Sequence, residues 1–331
     1  MMGDIMRKKW IDDLRGWIII LMIIGHIIGG LVQFDGENNI FRTILYQFHM
    51  PVLFVISGFI SREYVLCESK FIDYLNFFLK NLIGLYIPYL LWGGMFWCVK
   101  YFVFQGNEPV TVQDLLTLPY SLNAWYPGWF LLALLGIKCI DELFDELNSH
   151  LVIRIIFWAL LLGISFFVRF PQIIMNIMEF GIYYIWGKLL KKYSYVWDGK
   201  TVLWCFSILM IIIGSLVFAK GNIRLSKPIN SIGASWLLFY IFSRYSKGRN
   251  KITVQIGQYS MIPYVLHAYF IIPFKIVLMR FNCQSLILYV VLETFASVIL
   301  SLCVIHVVKR NSLLLSLFYP KLKRKVFQNN L

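Results

Sequence analysis

Apolar residues run along this chain in blocks of about 20, each long enough to cross the hydrocarbon core of a bilayer as an α-helix. Windows of that length predict ten helices: 16–34, 43–61, 81–104, 125–143, 151–168, 172–190, 201–219, 228–244, 258–280 and 285–308. The eighth is the shortest and has the weakest apolar signal. After the second block, residues 66–80 alternate polar and apolar positions at roughly helical spacing, which predicts an interfacial helix on the cytoplasmic face. No internal repeat or polar linker divides the chain. The expected fold class is therefore all-α, a polytopic integral membrane bundle of about ten transmembrane helices in a single domain over residues 1–331.

Composition agrees with that pattern. The chain is 59% hydrophobic and 15% charged, whereas soluble domains sit near 45–50% apolar and about 25% charged. A formal charge of +14 would suit a nucleic-acid partner. The Lys and Arg residues instead cluster in short loops, so no nucleic acid is expected. With the N-terminus in the cytoplasm, 23 of the 31 fall inside and 8 outside or at outer helix ends, as the positive-inside rule requires. Residues 105–124 contain neither Lys nor Arg and read as an outer loop. Both termini are expected in the cytoplasm, with residues 321–325 an anchor at the anionic leaflet. The apolar run after Gly16 is too long for a leader's core, so no cleavable signal peptide is expected. Six scattered cysteines lack metal-ligand spacing and read as small packing residues.

Arg15 and His26 lie eleven residues apart on the first apolar segment. That is about three helical turns, so both face one way, with a rise of roughly 16 Å between them. The helix holds a cation at one membrane surface and an imidazole near mid-depth, where an ionisable group is expensive and marks a functional site. His49 and His267 also sit inside apolar spans, while His150 and His306 fall in a loop and near a helix end. An imidazole can take a proton from a hydroxyl at neutral pH. A guanidinium fork at the cytoplasmic mouth suits the phosphates of a nucleotide-bearing donor. Asp12 and Asp13 have Lys8, Lys9 and Arg15 as possible ion-pair partners. Pro51 frees a backbone carbonyl within the second span, and Ser57-Gly58 permits close helix contact. Glu179 and Glu293 are read as intramembrane carboxylates, either protonated or paired with a neighbouring helix. No metal is expected, because the histidines lack ligand spacing on any one helix.

These residues form a pattern. Ile11-Asp-Asp-Leu-Arg-Gly16 followed by His26 resembles the opening signature of the integral membrane acyltransferase family 3. Phe48-His-Met-Pro51 to Ser57-Gly-Phe59 resembles its second-helix signature. Tyr86-Ile-Pro-Tyr89, Trp129-Phe-Leu131 and Gly257-Gln-Tyr-Ser-Met-Ile-Pro-Tyr-Val-Leu-His267 resemble later landmarks, in family order across about residues 11–270. The details look closest to the fucose 4-O-acetylase-like and exopolysaccharide O-acetyltransferase branch. The resemblance implies acyl transfer, usually acetyl from cytoplasmic acetyl-CoA, to a hydroxyl of a surface glycan or lipid-linked saccharide. It implies essential roles for Arg15 and His26, with Asp12 as the leading acid. Many members carry Arg-x-x-Arg before the third-helix proline. Here Asn81 and Gly84 stand in those places, with Lys80 the nearest cation.

The resulting expectation is a multi-pass O-acyltransferase of the bacterial cytoplasmic membrane. His26 and His49 are its catalytic candidates, and Arg15 and Lys80 its donor-binding residues. Asp12, Ser57, Trp129 and His267 are supporting residues. The other function classes are a transporter or flippase of an envelope precursor, with His and Glu as a proton relay, and a structural subunit of an export complex.

Overall fold

The computed structural model describes residues 8–30, 40–61, 70–103, 109–146, 150–193, 201–246, 248–280 and 285–320. Among them all regular structure is helical. The basic segment 321–325, residues 66–69 of the expected interfacial helix, Cys67 and Cys283 lie outside the described residues. Each apolar block corresponds to a helix. They begin with α1 (Lys9–Gly29) and α2 (Ile40–Phe59). Next come α3 (Lys70–Asn81), a π-helical turn (Leu82–Tyr86) and α4 (Ile87–Phe102), which run on without a break. A short α5 (Val112–Thr117) precedes a 3₁₀ turn (Tyr126–Gly128), α6 (Trp129–Glu146), α7 (Leu151–Phe167) and α8 (Gln172–Lys192). Then follow α9 (Thr201–Ala219) and α10 (Ile223–Ile241), with a second π turn at Phe242–Ser246. The last are α11 (Lys251–Gln258), α12 (Met261–Arg280), α13 (Leu286–Val308) and α14 (Ser312–Phe318).

Four described helical runs are long and apolar enough to cross a membrane: Ile40–Phe59, Ile72–Phe102, Met261–Leu278 and Leu286–Val308. Shorter apolar helices cover Leu151–Phe167 and Trp204–Ala219. The chain is an all-α membrane protein. Large apolar side chains such as Phe167, Ile287, Phe295 and Leu160 are exposed on these helices, as lipid-facing residues must be.

The chain divides into two compact units. The first comprises Met1–Ile60 and Trp186–Ile305, the second Ser61–Ile185 and His306–Leu331.

In the first unit, α1 packs against α2 and α11, while α10 packs against α2 and α9. Two glycines decide how closely α1 and α11 approach. A Cβ on Gly16 would fall 1.9 Å from the Thr253 carbonyl oxygen, and one on Gly257 would fall 1.7 Å from that of Asp12. Only glycine tolerates this backbone contact. Gly248 has φ +65° and turns the chain into α11, beside Lys9 of α1. Pro51 cannot donate to the carbonyl of Gln47, four residues earlier. That carbonyl instead accepts the Ser231 hydroxyl from α10, and Ser226 donates to the Gln47 side chain at 3.3 Å. The carbonyl freed by the proline thus becomes an interhelical bond. Gly187 of α8 lies against the Val55 carbonyl, where its Cβ would be 2.0 Å away, the close contact expected near Ser57-Gly58.

In the second unit, Arg154 of α7 pairs with Asp141, at 3.5 Å, and with Asp145, both on α6. The aspartates are four residues apart and share one helix face. Gly181 admits the ring of Trp158, which lies 1.9 Å from where its Cβ would stand. Trp92 donates to the Leu317 carbonyl at 3.3 Å and stacks on Phe318, tying α14 to α4.

Candidate functional site

His26, His49 and His267 converge in the first unit. The His26 ring stacks on His267 with centroids 4.9 Å apart and planes at 27°. Tyr46 of α2 joins them to the third. Its hydroxyl lies 3.5 Å from Nδ1 of His26, and its ring meets His49 edge-on with centroids 4.9 Å apart. The result is one continuous polar set, His267–His26–Tyr46–His49, drawn from α12, α1 and α2. His49 and His267 are buried, while His26 keeps part of its surface accessible.

Backbone carbonyls set two of the tautomers. Nδ1 of His49 lies 2.6 Å from the Leu45 carbonyl oxygen, and Nδ1 of His267 bonds to the Tyr264 carbonyl. A carbonyl can only accept, so both Nδ1 atoms carry hydrogen in the neutral rings, which leaves Nε2 with the lone pair. His26 has no such constraint. Its Nδ1 faces a hydroxyl that can donate or accept.

Cations surround this set. The Arg42 guanidinium lies over the Tyr46 ring at 5.3 Å, and Arg42 and Lys227 are within electrostatic reach of His26 and His49 respectively. Lys275 donates to the Gly30 carbonyl just past the end of α1.

Arg15 occupies the other end of α1. One guanidinium nitrogen donates to the Gly257 carbonyl at 3.4 Å, at the glycine crossing with α11. Asp12 is buried in the same crossing. Asp13 accepts the hydroxyls of Ser246 and Thr253, so these neutral donors, rather than the lysines considered from sequence, satisfy it. Trp10 beside them packs edge-on against Phe59 and Phe239. The α1 helix is continuous between Arg15 and His26, so their separation along its axis is roughly 16 Å.

The remaining candidates have less direct positions. The Ser57 hydroxyl donates to the Leu53 carbonyl at 2.8 Å. Lys80 is exposed on α3, and Trp129 packs on Phe180 with centroids 4.9 Å apart; both belong to the second unit. Glu293 is buried on α13, within electrostatic reach of Lys275. Cys98, Cys139, Cys205 and Cys303 are free thiols. Among the described residues, no group of three or more His, Cys, Asp or Glu side chains is arranged to hold a metal ion.

Sequence reasoning passed over Tyr46 and treated Arg42 only as a loop charge. The signal was present. Arg42, Tyr46 and His49 follow i, i+4, i+7 spacing and share one face of α2.

The profile of the acyltransferase 3 family, described as an acyltransferase domain, matches residues 8–306. The chain belongs to this family. Residues 8–306 thus carry an acyltransferase domain. The matched segment contains every residue of the histidine set and both glycines of the α1–α11 crossing. The chain is also similar to the nodulation protein NolL of Sinorhizobium fredii (strain NBRC 101917 / NGR234), with 28% identity over 145 residues. That alignment covers 43% of this chain and 38% of the relative. Nodulation protein NolL of Mesorhizobium japonicum (strain LMG 29417 / CECT 9101 / MAFF 303099) is 30% identical over 132 residues, 38% of this chain and 33% of its own length. These alignments therefore span well under half of each relative. No solved structure matches the chain.

Proposed function

We propose that this acyltransferase moves an acetyl or other small acyl group from cytoplasmic acyl-CoA to a hydroxyl of a cell-surface sugar or polysaccharide precursor. The observation that carries this reading is the histidine set itself. His26 lies against Tyr46 and His267, on the same helix as Arg15 and three turns from it. In this reading Arg15 holds the donor phosphates through charge-assisted hydrogen bonds. His26 is the general base. The acceptor oxygen bonds to the thioester carbonyl carbon as its proton passes to the imidazole. The C–S bond then breaks, and the thiolate recovers the proton as free CoA. A covalent acyl-His route has the same overall balance. His49 orients the acceptor or shares its proton. Asp12, Ser57 and His267 support these groups.

The family match runs through both units, which supports one functional domain. The 23-to-8 division of Lys and Arg supports ten spans in a bacterial cytoplasmic membrane with both termini inside. The direct test uses purified full-length protein in lipid nanodiscs, acetyl-CoA, and de-O-acetylated envelope glycan from the producing cell. Acetyl transfer without an ion gradient is expected. Absence of transfer from any small acyl-CoA would refute the reading.

A further inference from the structure

Within the second unit lies an open cleft of about 810 Å³ lined by parts of α4, the loop around α5, the 3₁₀ turn and the start of α8. Its volume falls among those of small-molecule sites, roughly 300–1,000 Å³. The side chains that give it chemistry are Lys100, Asp114, Tyr120, Asn123, Tyr126 and Gln172. Tyr120 and Tyr126 are 71% and 58% exposed, so their rings are available rather than spent on packing.

The walls are built and held. Tyr89 donates to the carbonyls of Leu118, at 3.0 Å, and Ser121, at 2.7 Å, while Tyr86 donates to that of Pro119 at 2.9 Å. The Tyr86-Ile-Pro-Tyr89 segment thus pins the short loop that presents Tyr120. Trp97 donates to the Thr111 carbonyl at 2.8 Å on the other side. Thr111 and Asp114 form a capping box, with the carboxylate accepting the Thr111 amide at 2.7 Å and its hydroxyl at 2.8 Å. These two bonds hold Asp114 below the usual carboxylate range, so it stays ionised as an acceptor.

We propose that this cleft binds a neutral, hydroxyl-rich saccharide, with Tyr120 and Tyr126 against the apolar faces of its rings and Asp114, Asn123 and Gln172 on its hydroxyls. Tyrosine supplies rigid, amphipathic contact area at low entropic cost. Carboxylate and amide groups can accept from, and amides donate to, adjacent hydroxyls. The two charged residues in the lining, Lys100 and Asp114, have opposite sign and lie within electrostatic reach of each other. The cleft therefore lacks the excess positive charge that donor phosphates would need. Residues 109–123, which supply much of the wall, contain no Lys or Arg, in keeping with the outer side where an envelope glycan is met.

This inference rests on the glycan acceptor proposed above. Its test measures steady-state acetyl transfer to de-O-acetylated envelope glycan by full-length protein and two variants, Tyr120→Ala with Tyr126→Ala, and Asn123→Ala with Gln172→Ala. Truncating aromatic anchors in a binding site commonly raises the dissociation constant about tenfold or more. We expect the acceptor KM to rise at least that far in the tyrosine variant, with the donor KM held. Folded protein with an unchanged acceptor KM in both variants would overturn the cleft assignment while leaving the acyltransferase reading intact. If the parent protein transfers no acyl group to any glycan, both fall together. Tyr120→Phe with Tyr126→Phe, which keeps the ring faces, should retain most acceptor affinity; loss equal to that of the alanine variant would also contradict ring stacking.

Discussion

His26 and His267 come from helices more than 200 positions apart in the chain, yet their imidazoles stack at 4.9 Å. His267 is itself anchored through Nδ1 to the Tyr264 carbonyl. The stack limits the tilt of the His26 ring and aims its edge toward Tyr46. Small misplacement of a catalytic group can cost about 10²-fold in rate. His267→Ala should therefore lower kcat by roughly that factor with little change in donor KM, and His267→Phe should recover part of the loss by restoring a ring face. Equal activity for the alanine variant and the parent would show that the stack positions nothing.

Arg15 should be intolerant even of lysine. An ammonium lacks the bidentate fork that pairs with phosphate oxygens. Arg15→Lys should weaken acyl-CoA binding by about 1–3 kcal/mol, the scale of hydrogen bonds to charged groups. Calorimetry or donor KM measures this directly. Unchanged affinity would reduce Arg15 to a topology charge and a partner of the Gly257 carbonyl.

Gly257→Ala should disturb the Arg15 end of the first unit. Its new Cβ would meet the Asp12 carbonyl oxygen at 1.7 Å, so α1 and α11 would have to separate. Overpacking of this kind costs about 1–3 kcal/mol, occasionally more. Separation would also strain the hydrogen bonds from Thr253 to Asp13 and from Arg15 to Gly257. A lower melting temperature together with a raised donor KM is expected. A fully stable, fully active alanine variant would contradict the close crossing.

Arg154→Ala should destabilise the second unit. It would leave Asp141, which is 2% exposed in its side chain, facing Asp145 without their shared cation. Breaking a buried ion pair from one side costs about 3–5 kcal/mol. Thermal unfolding in detergent should register the loss, and Arg154→Ala combined with Asp141→Asn and Asp145→Asn should recover part of it. No difference in melting temperature would argue that the pair contributes only orientation.

The apolar blocks made the helices legible because a membrane span has to be long and continuous. The boundaries were less so. Residues 66–80 and 81–104 read as separate elements, yet Lys70–Phe102 is one helical run through a π turn, a local choice that periodicity does not reveal. The span at 258–280 hides a break at Tyr259–Ser260, between α11 and α12. His26, His49 and His267 stood out because ionisable groups are rare within long apolar stretches. Tyr46 did not, since tyrosine reads as bulk within an aromatic-rich chain. The partners of Asp13 and the Gln47 carbonyl were out of reach because Ser246, Thr253 and Ser231 lie 184–240 residues away.

The central claim is that His26 takes the acceptor's proton. A positioned general base contributes about 10²–10⁴-fold to rate. The decisive measurement is acetyl transfer by folded His26→Gln protein, whose amide can hydrogen-bond to Tyr46 but cannot accept a proton at neutral pH. Transfer should fall by at least about 10²-fold while the melting temperature and acyl-CoA affinity hold. A folded His26→Gln protein that acetylates the glycan at near parental rate would contradict the account and leave His26 as a helix-packing residue.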